Sequence, residues 1–177
     1  IGQWNTSSAT SMQGVFEGTS SFNQNIGSWN VSNVTSMREM FKNATAFNKD
    51  LSGWNTSSVT SMAGMFSQTS FNQDISGWNT SNVTQMHVMF YNNSAFDQNI
   101  GNWDVSNVIE MQAMFSGATA FNKDISGWNT SSATIMASMF RGATSFNQNL
   151  GLWDVSATVP STGGLEEMFY GASAFNQ

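Results

Sequence analysis

Apolar residues recur along this chain at two alternating spacings, and the alternation is written seven times. In residues 26–50, read IGSWNVSNVTSMREMFKNATAFNKD, the first apolar positions are Ile26, Trp29 and Val31. The gap of two puts Trp29 and Val31 on one face of an extended strand, with Asn30 and Ser32 on the other. From Met37 the spacing becomes i, i+3, i+4, i+7 through Met40, Phe41 and Ala44, the stripe of a short helix. Ser36 or Thr35 stands where that helix would take its N-cap. Phe47 follows in a turn rich in Asn, Ser and Thr, and Asn48-Lys49-Asp50 leads back to Leu51. The pattern predicts a strand at Trp-[ND]-[TV]-Ser and a helix from Met to Ala in each repeat.

Two aromatic series set the period. Trp4, Trp29, Trp54, Trp78, Trp103, Trp128 and Trp153 step by 25, 25, 24, 25, 25 and 25 residues. Phe16, Phe41, Phe66, Phe90, Phe115, Phe140 and Phe169 run beside them. A fixed period in this range marks an array in which each repeat packs only on its neighbours. The chain divides into one array of seven repeats, 1–25, 26–50, 51–74, 75–99, 100–124, 125–149 and 150–177, and is expected to be a segment of a longer protein. The third repeat is one residue short between Phe66 and Phe71, and the last carries four extra residues within Val159–Gly164. The link between repeats has two spellings, Asp50-Leu51-Ser52-Gly53 and Asn25-Ile26-Gly27. Both suit an Asx turn with Gly where φ is positive.

Stacked repeats bring equivalent residues to about 4.8 Å wherever strands pair, whereas helices need about 8–10 Å. A repeat with a strand on one side and a helix on the other must then curve with its strands inside. The expected fold is a repeat solenoid, a right-handed leucine-rich-repeat-like horseshoe with a parallel β-sheet on the concave side and short helices on the convex side. Columns of Ile/Leu, Trp, Val/Ala, Met and Phe fill its interior.

The order I-x-x-W-x-[TV]-x-x-[VA] is similar to the leucine-rich-repeat core, with Val34 where that core has Asn. The tail M-x-x-M-F-x-x-A-x-x-F and the phrases FNQDISGW (Phe71–Trp78) and WNTSNVT (Trp78–Thr84) resemble the repeat of BspA-like surface proteins. The resemblance covers all seven repeats. It implies a horseshoe on a surface or secreted protein, with adhesion as the suspected role.

Charge narrows the partners. Charged residues are 9% of the chain, against about a quarter in an ordinary domain, and only five are Lys or Arg. No basic stripe exists to neutralise phosphates, which argues against nucleic acid. No apolar run approaches a membrane span, so no membrane insertion is expected. Without cysteine there is neither a disulfide nor a thiolate metal site. Asn-x-Ser/Thr sites at Asn5, Asn30, Asn33, Asn55, Asn79, Asn82 and Asn129 would crowd if all were glycosylated at strand spacing. A bacterial surface, or a eukaryotic cytosol, fits that crowding better. With the resemblance, the expected place is a bacterial cell surface or the secreted fraction, with no anchor in this segment.

Candidate chemistry lies in two polar columns. Asn30, Asn55, Asn79, Asp104 and Asn129 follow Trp, and Ser32, Ser57, Ser81, Ser106 and Ser131 lie two residues on. Both are expected on the concave face. There they form either a groove of amides and hydroxyls for a sugar or peptide, or a ladder that bonds its own backbone. A Thr row, Thr10, Thr35, Thr60, Thr84 and Thr134, is broken by Ile109, which weakens an ice- or mineral-binding reading. His87 is the sole histidine and is read as solvent-facing; the carboxylates do not cluster. Asp50 and Asp74 stack, but a calcium repeat is missing. The reading is a non-catalytic surface module binding protein or glycan through its concave face, with no enzyme activity, cofactor or metal. A spacer with no ligand is the alternative. Because neither terminal repeat has a polar cap, one of two outcomes is expected: flanking sequence supplies the caps in the full protein, or the segment associates end to end.

Overall fold

The computed structural model describes residues 1–177, except the side chain of Thr162. Its repeats are coils stacked in register, but they contain neither of the expected elements. Among the described residues the one helical element is a 3₁₀ turn at Pro160–Thr162, and no extended strand forms. Pairing is limited to isolated parallel bridges running Ser11, Ser36, Ser61, Gln85, Glu110 and Ile135, one residue before the Met that opens the expected helix. The horseshoe with a concave β-sheet and convex helices is therefore wrong, and the reason is legible in the backbone.

The expected helix is prevented by left-handed residues. Glu39 and Asn43 have φ of 54° and 61°, and equivalent residues repeat this in all seven coils. One column reads Gly14, Glu39, Gly64, Val88, Ala113, Ser138 and Glu167; the other reads Gly18, Asn43, Gln68, Asn92, Gly117, Gly142 and Gly171. A left-handed residue every fourth position prevents the i→i−4 bonding of an α-helix. Gly adopts that conformation freely and Asn tolerates it, and together they fill six of the seven places in the second column.

The backbone bonding that replaces the helix has a period of two. Even-numbered N–H groups close tight turns within the coil: Met40 N to Met37 O, Lys42 N to Glu39 O, and Ala44 N to Phe41 O, at 3.2, 3.1 and 2.8 Å. Odd-numbered groups reach the next coil: Met37 N to Ser61 O, Glu39 N to Ala63 O, Phe41 N to Met65 O and Asn43 N to Ser67 O, at 2.8–3.0 Å. Every N–H from Met37 to Ala44 except that of Arg38 is thus paired with a carbonyl, four of the seven along the stack. Arg38 N lies at 3.5 Å from Ser36 Oγ.

The expected strand at Trp29–Ser32 is also bent. Asn30 Oδ1 accepts from Ser32 N at 3.0 Å, and Val34 N closes a turn on Val31 O at 2.9 Å. The side chain and the turn satisfy groups that a strand would have offered to its neighbours.

The core does follow the apolar columns. Phe16, Phe41, Phe66, Phe90, Phe115, Phe140 and Phe169 stack at 5.5–5.9 Å between ring centroids. Each also lies flat on the second Phe of its own coil, as Phe41 does on Phe47 at 4.0 Å. Trp side chains are buried from Trp29 to Trp153, and each indole Nε1 donates to the carbonyl of the preceding coil's Ile or Leu; Trp78 bonds Leu51 O at 3.1 Å. Val31, Thr56, Thr80, Val105 and Thr130 face inward. The Thr hydroxyls donate to the next coil, Thr80 Oγ1 to Asp104 O at 2.9 Å. Thr and Val therefore share a column without an unpaired polar group.

A second ladder runs along the outside of the second Phe column. Asn72 Oδ1 accepts from Asp97 N at 3.0 Å, Asp97 Oδ1 from Asn122 N at 3.0 Å, and Asn122 Oδ1 from Asn147 N at 2.9 Å. The link between coils uses the Asx turn in both spellings, Asp50 Oδ1 to Ser52 N and Asn25 Oδ1 to Gly27 N. Neither places its Gly at positive φ. Gly27 is required instead because a β-carbon there would lie 2.7 Å from Asp50 O, whereas Gly53 is neither left-handed nor crowded.

The short third coil is repaired from the fourth. Asn93 is fully buried in a column that holds Ala44, Ala118 and Ala143 elsewhere. Its Nδ2 donates to Thr69 Oγ1 at 3.2 Å and Phe71 O at 3.0 Å, while Oδ1 accepts from Ala95 N and Phe96 N. All four bonding positions of the amide are filled, two of them by the coil that lost a residue. In the last coil the extra residues bulge between Val159, which donates to Thr134 O, and Gly164, whose carbonyl accepts from Met136 N.

Candidate functional site

The surface strip between the buried Trp and Met columns carries the candidate residues. In the second coil Asn30, Ser32, Asn33 and Thr35 face outward, while Val31 and Val34 anchor the strip from beneath. Asn30, Asn55, Asn79, Asp104 and Asn129 are all exposed, and each is paired with the Ser two residues on. Asn79 Oδ1 accepts from Ser81 N at 3.0 Å and Oγ at 2.8 Å; Asp104 Oδ1 accepts from Ser106 N at 3.0 Å and Oγ at 2.6 Å. Asn55 and Asn129 make the backbone bond to Ser57 and Ser131, at 3.1 and 3.2 Å. Because only an acceptor oxygen is used, Asn and Asp interchange in this column. The Ser106 hydroxyl and N–H hold the Asp104 carboxyl below its ordinary value.

Pinning Oδ1 fixes the other end of each amide. Among the described residues, no protein acceptor takes the Nδ2 of Asn30, Asn55, Asn79 or Asn129, so a row of amide donors points to solvent in one orientation. Beside it runs a second row of amides, of which the sequence marked Asn33 and Asn82 only as glycosylation acceptors. Asn82 Nδ2 donates to Ser57 O at 2.7 Å and Asn107 Nδ2 to Ser81 O at 2.8 Å. The next row is Thr, each hydroxyl donating to the preceding coil: Thr60 Oγ1 to Thr35 O at 3.1 Å, Thr134 Oγ1 to Ile109 O at 3.4 Å. Asn82, Thr84, Asn107, Ile109, Ser132 and Thr134 line a shallow open groove across three coils. Its sequence signal was the Asn or Ser that precedes the inward Val or Ala in each repeat.

His87 lies apart from this strip, and it is less exposed than the sequence suggested. Its Nδ1 is 2.9 Å from Glu110 Oε2 but makes no hydrogen bond, and the ring is half-buried. The hydroxyl of Ser61 in a neighbouring column is buried without a partner, and no hydrogen bond joins it to His87. Asp50 and Asp74 stack closely enough that the charge of Asp50 opposes ionisation of Asp74. Yet both stay below their ordinary value, because each accepts from the backbone N–H and hydroxyl of its own Ser. Among the described residues no three ligating side chains gather as a metal cluster would require. No described helix is long and apolar enough to cross a membrane.

The sequence profile of the family described as Mycoplasma protein of unknown function, DUF285, matches residues 1–86 and 67–177. The two matches together span the chain. The chain belongs to this family. No curated protein and no solved structure matches it. Membership in DUF285 accords with the repeat grammar and names no activity.

Proposed function

We propose that this chain is a non-catalytic module of a bacterial surface repeat protein, akin to the BspA-like repeats, that binds a glycan through the amide and hydroxyl strip. The observation that carries this is the row of Asn Nδ2 donors, held in one orientation by Oδ1 bonds and left without protein acceptors. Sugars are recognised by fixed donors and acceptors of this kind. The strip holds no ion pair and, apart from Ile109, no large apolar side chain. A protein partner would favour an aromatic or Arg anchor there.

The test exploits the Asp already present at Asp104 and Asp154. Asn55→Asp with Asn79→Asp keeps each Oδ1 bond to Ser and removes only the outward donors. Binding to a glycan array should fall about tenfold, with the melting temperature unchanged. Binding by the parent chain that survives this double change would remove the strip from the account. A parent chain that binds no glycan and captures no protein would leave the spacer reading.

A further inference from the structure

The shallow groove across the fourth, fifth and sixth coils owes its lining to two departures from the repeat. Ile109 stands where the neighbouring coils have Thr84 and Thr134, and Ser132 stands where they have Asn82 and Asn107. The first puts an apolar side chain, 45% exposed, into a row of hydroxyls; the second removes an amide beside it. The backbone does not register the change. Ile109 N donates to Thr84 O at 2.9 Å, as Thr84 N does to Thr60 O, so the coil holds its course with either residue.

Hydrogen bonding around Ile109 is one-sided. Asn82 and Asn107 each donate an amide N–H to the preceding coil, to Ser57 O and Ser81 O. Thr84 and Thr134 donate their hydroxyl protons to Thr60 O and Ile109 O. Among the described residues no donor takes Oδ1 of Asn82 or Asn107. The lining therefore offers mostly acceptors, the Oδ1 of both amides and the lone pairs of both hydroxyls. No Lys or Arg lines it, and Asp104, one row away on the fifth coil, adds an exposed carboxylate. A ligand that fits brings hydroxyl donors, an apolar edge and no negative charge.

We propose, resting on the glycan reading above, that this groove is the subsite for a neutral 6-deoxyhexose. Its methyl group covers Ile109, and its ring hydroxyls donate to Oδ1 of Asn82 and Asn107. A sugar with a hydroxymethyl group would lay that hydroxyl on Ile109, whose side chain gives it no partner. An N-acetyl sugar adds a carbonyl to a lining already rich in acceptors, and a uronic acid adds a charge with no cation to meet it.

The test titrates the parent chain, labelled with carbon-13 at its isoleucine methyls, with L-fucose and with L-galactose, which differ only by the hydroxyl on C6. L-Fucose should shift the Ile109 methyl signals and bind about fourfold more tightly, as one methyl-sized apolar contact gives. Glucuronic acid should leave those signals in place. Ile109→Thr completes the Thr row, so it should keep the parent's melting temperature and bind the two sugars equally. Equal affinity of the parent for both sugars, or a preference that survives Ile109→Thr, overturns the deoxyhexose subsite and leaves standing any glycan binding that depends on Asn55 and Asn79. A parent chain that binds no sugar, on the array or in the titration, overturns the subsite together with the glycan reading. If the variant fails to fold, the parent's comparison of the two sugars and its Ile109 shifts decide alone.

Discussion

Val88 holds a φ of 50°, in a column where two other coils have Gly. A β-branched side chain is poorly suited to the left-handed region, which costs an L-residue about 1–2 kcal/mol. Val88→Gly should therefore raise stability by about 1 kcal/mol, and Gly142→Ala, at φ 67° with room for a β-carbon, should lower it by a similar amount. Thermal melts of both variants check the pair; a loss from Val88→Gly would show that packing of the valine outweighs its backbone. The Asp residues of the Asx turns supply a second prediction. Their folded values lie below the ordinary one, so their contribution is present at neutral pH and lost as pH falls through the folded value, from about pH 4 downward. Ser106→Ala should move the Asp104 titration upward, read as a carboxyl chemical shift against pH. An unmoved midpoint would remove the Ser106 hydroxyl as a cause and leave the Ser106 N–H.

At the scale of one coil, what matters is whether its neighbours are present and complete. Trp78 is buried and bonded to Leu51 O, whereas Trp4 is open. Trp78→Ala should cost about 3–5 kcal/mol and Trp4→Ala much less. Equal shifts in melting temperature would refute stacking as the source of stability. Asn93→Ala restores the residue that Ala44, Ala118 and Ala143 have in that column, yet it should destabilise by about 1–3 kcal/mol. The amide pairs Phe71 O and the N–H groups of Ala95 and Phe96, which alanine leaves unbonded. A neutral result on denaturant unfolding would mean that water replaces it. The elements themselves were misread from this same stretch. Met37, Met40, Phe41 and Ala44 have helical spacing, but a chain of turns with a left-handed residue every fourth position also turns them all inward. The Gly and Asn at Gly18, Asn43, Asn92, Gly117, Gly142 and Gly171 were the available warning.

For the whole molecule, a stack built of turns has a spectroscopic consequence. Far-UV circular dichroism should lack the double minimum of an α-helix and show no strong sheet band. A clear helical spectrum at neutral pH would restore the helices the structure excludes. Stability along the stack should also be unequal. Amide exchange is expected to be slowest in the central coils, where both sets of inter-coil bonds exist, and fastest in the first and last.

The sequence by itself determined the period, the inward columns and the Asx turns, because each is a local choice of residue repeated seven times. Trp at a step of 25, Phe beside it and Asn followed two residues later by Ser fix what is buried and which side-chain oxygens meet which N–H groups. Tertiary structure decided the elements. Whether Glu39 or Val88 turns left-handed depends on the next coil, whose carbonyls take the N–H groups that a helix would keep to itself. The same holds for the candidate site. The Asn and Ser columns were legible, but the rows at Asn82, Asn107 and Thr134 became a groove only when three coils set them side by side. One coil holds too few hydrogen bonds to choose its own backbone, and the stack makes the choice for it.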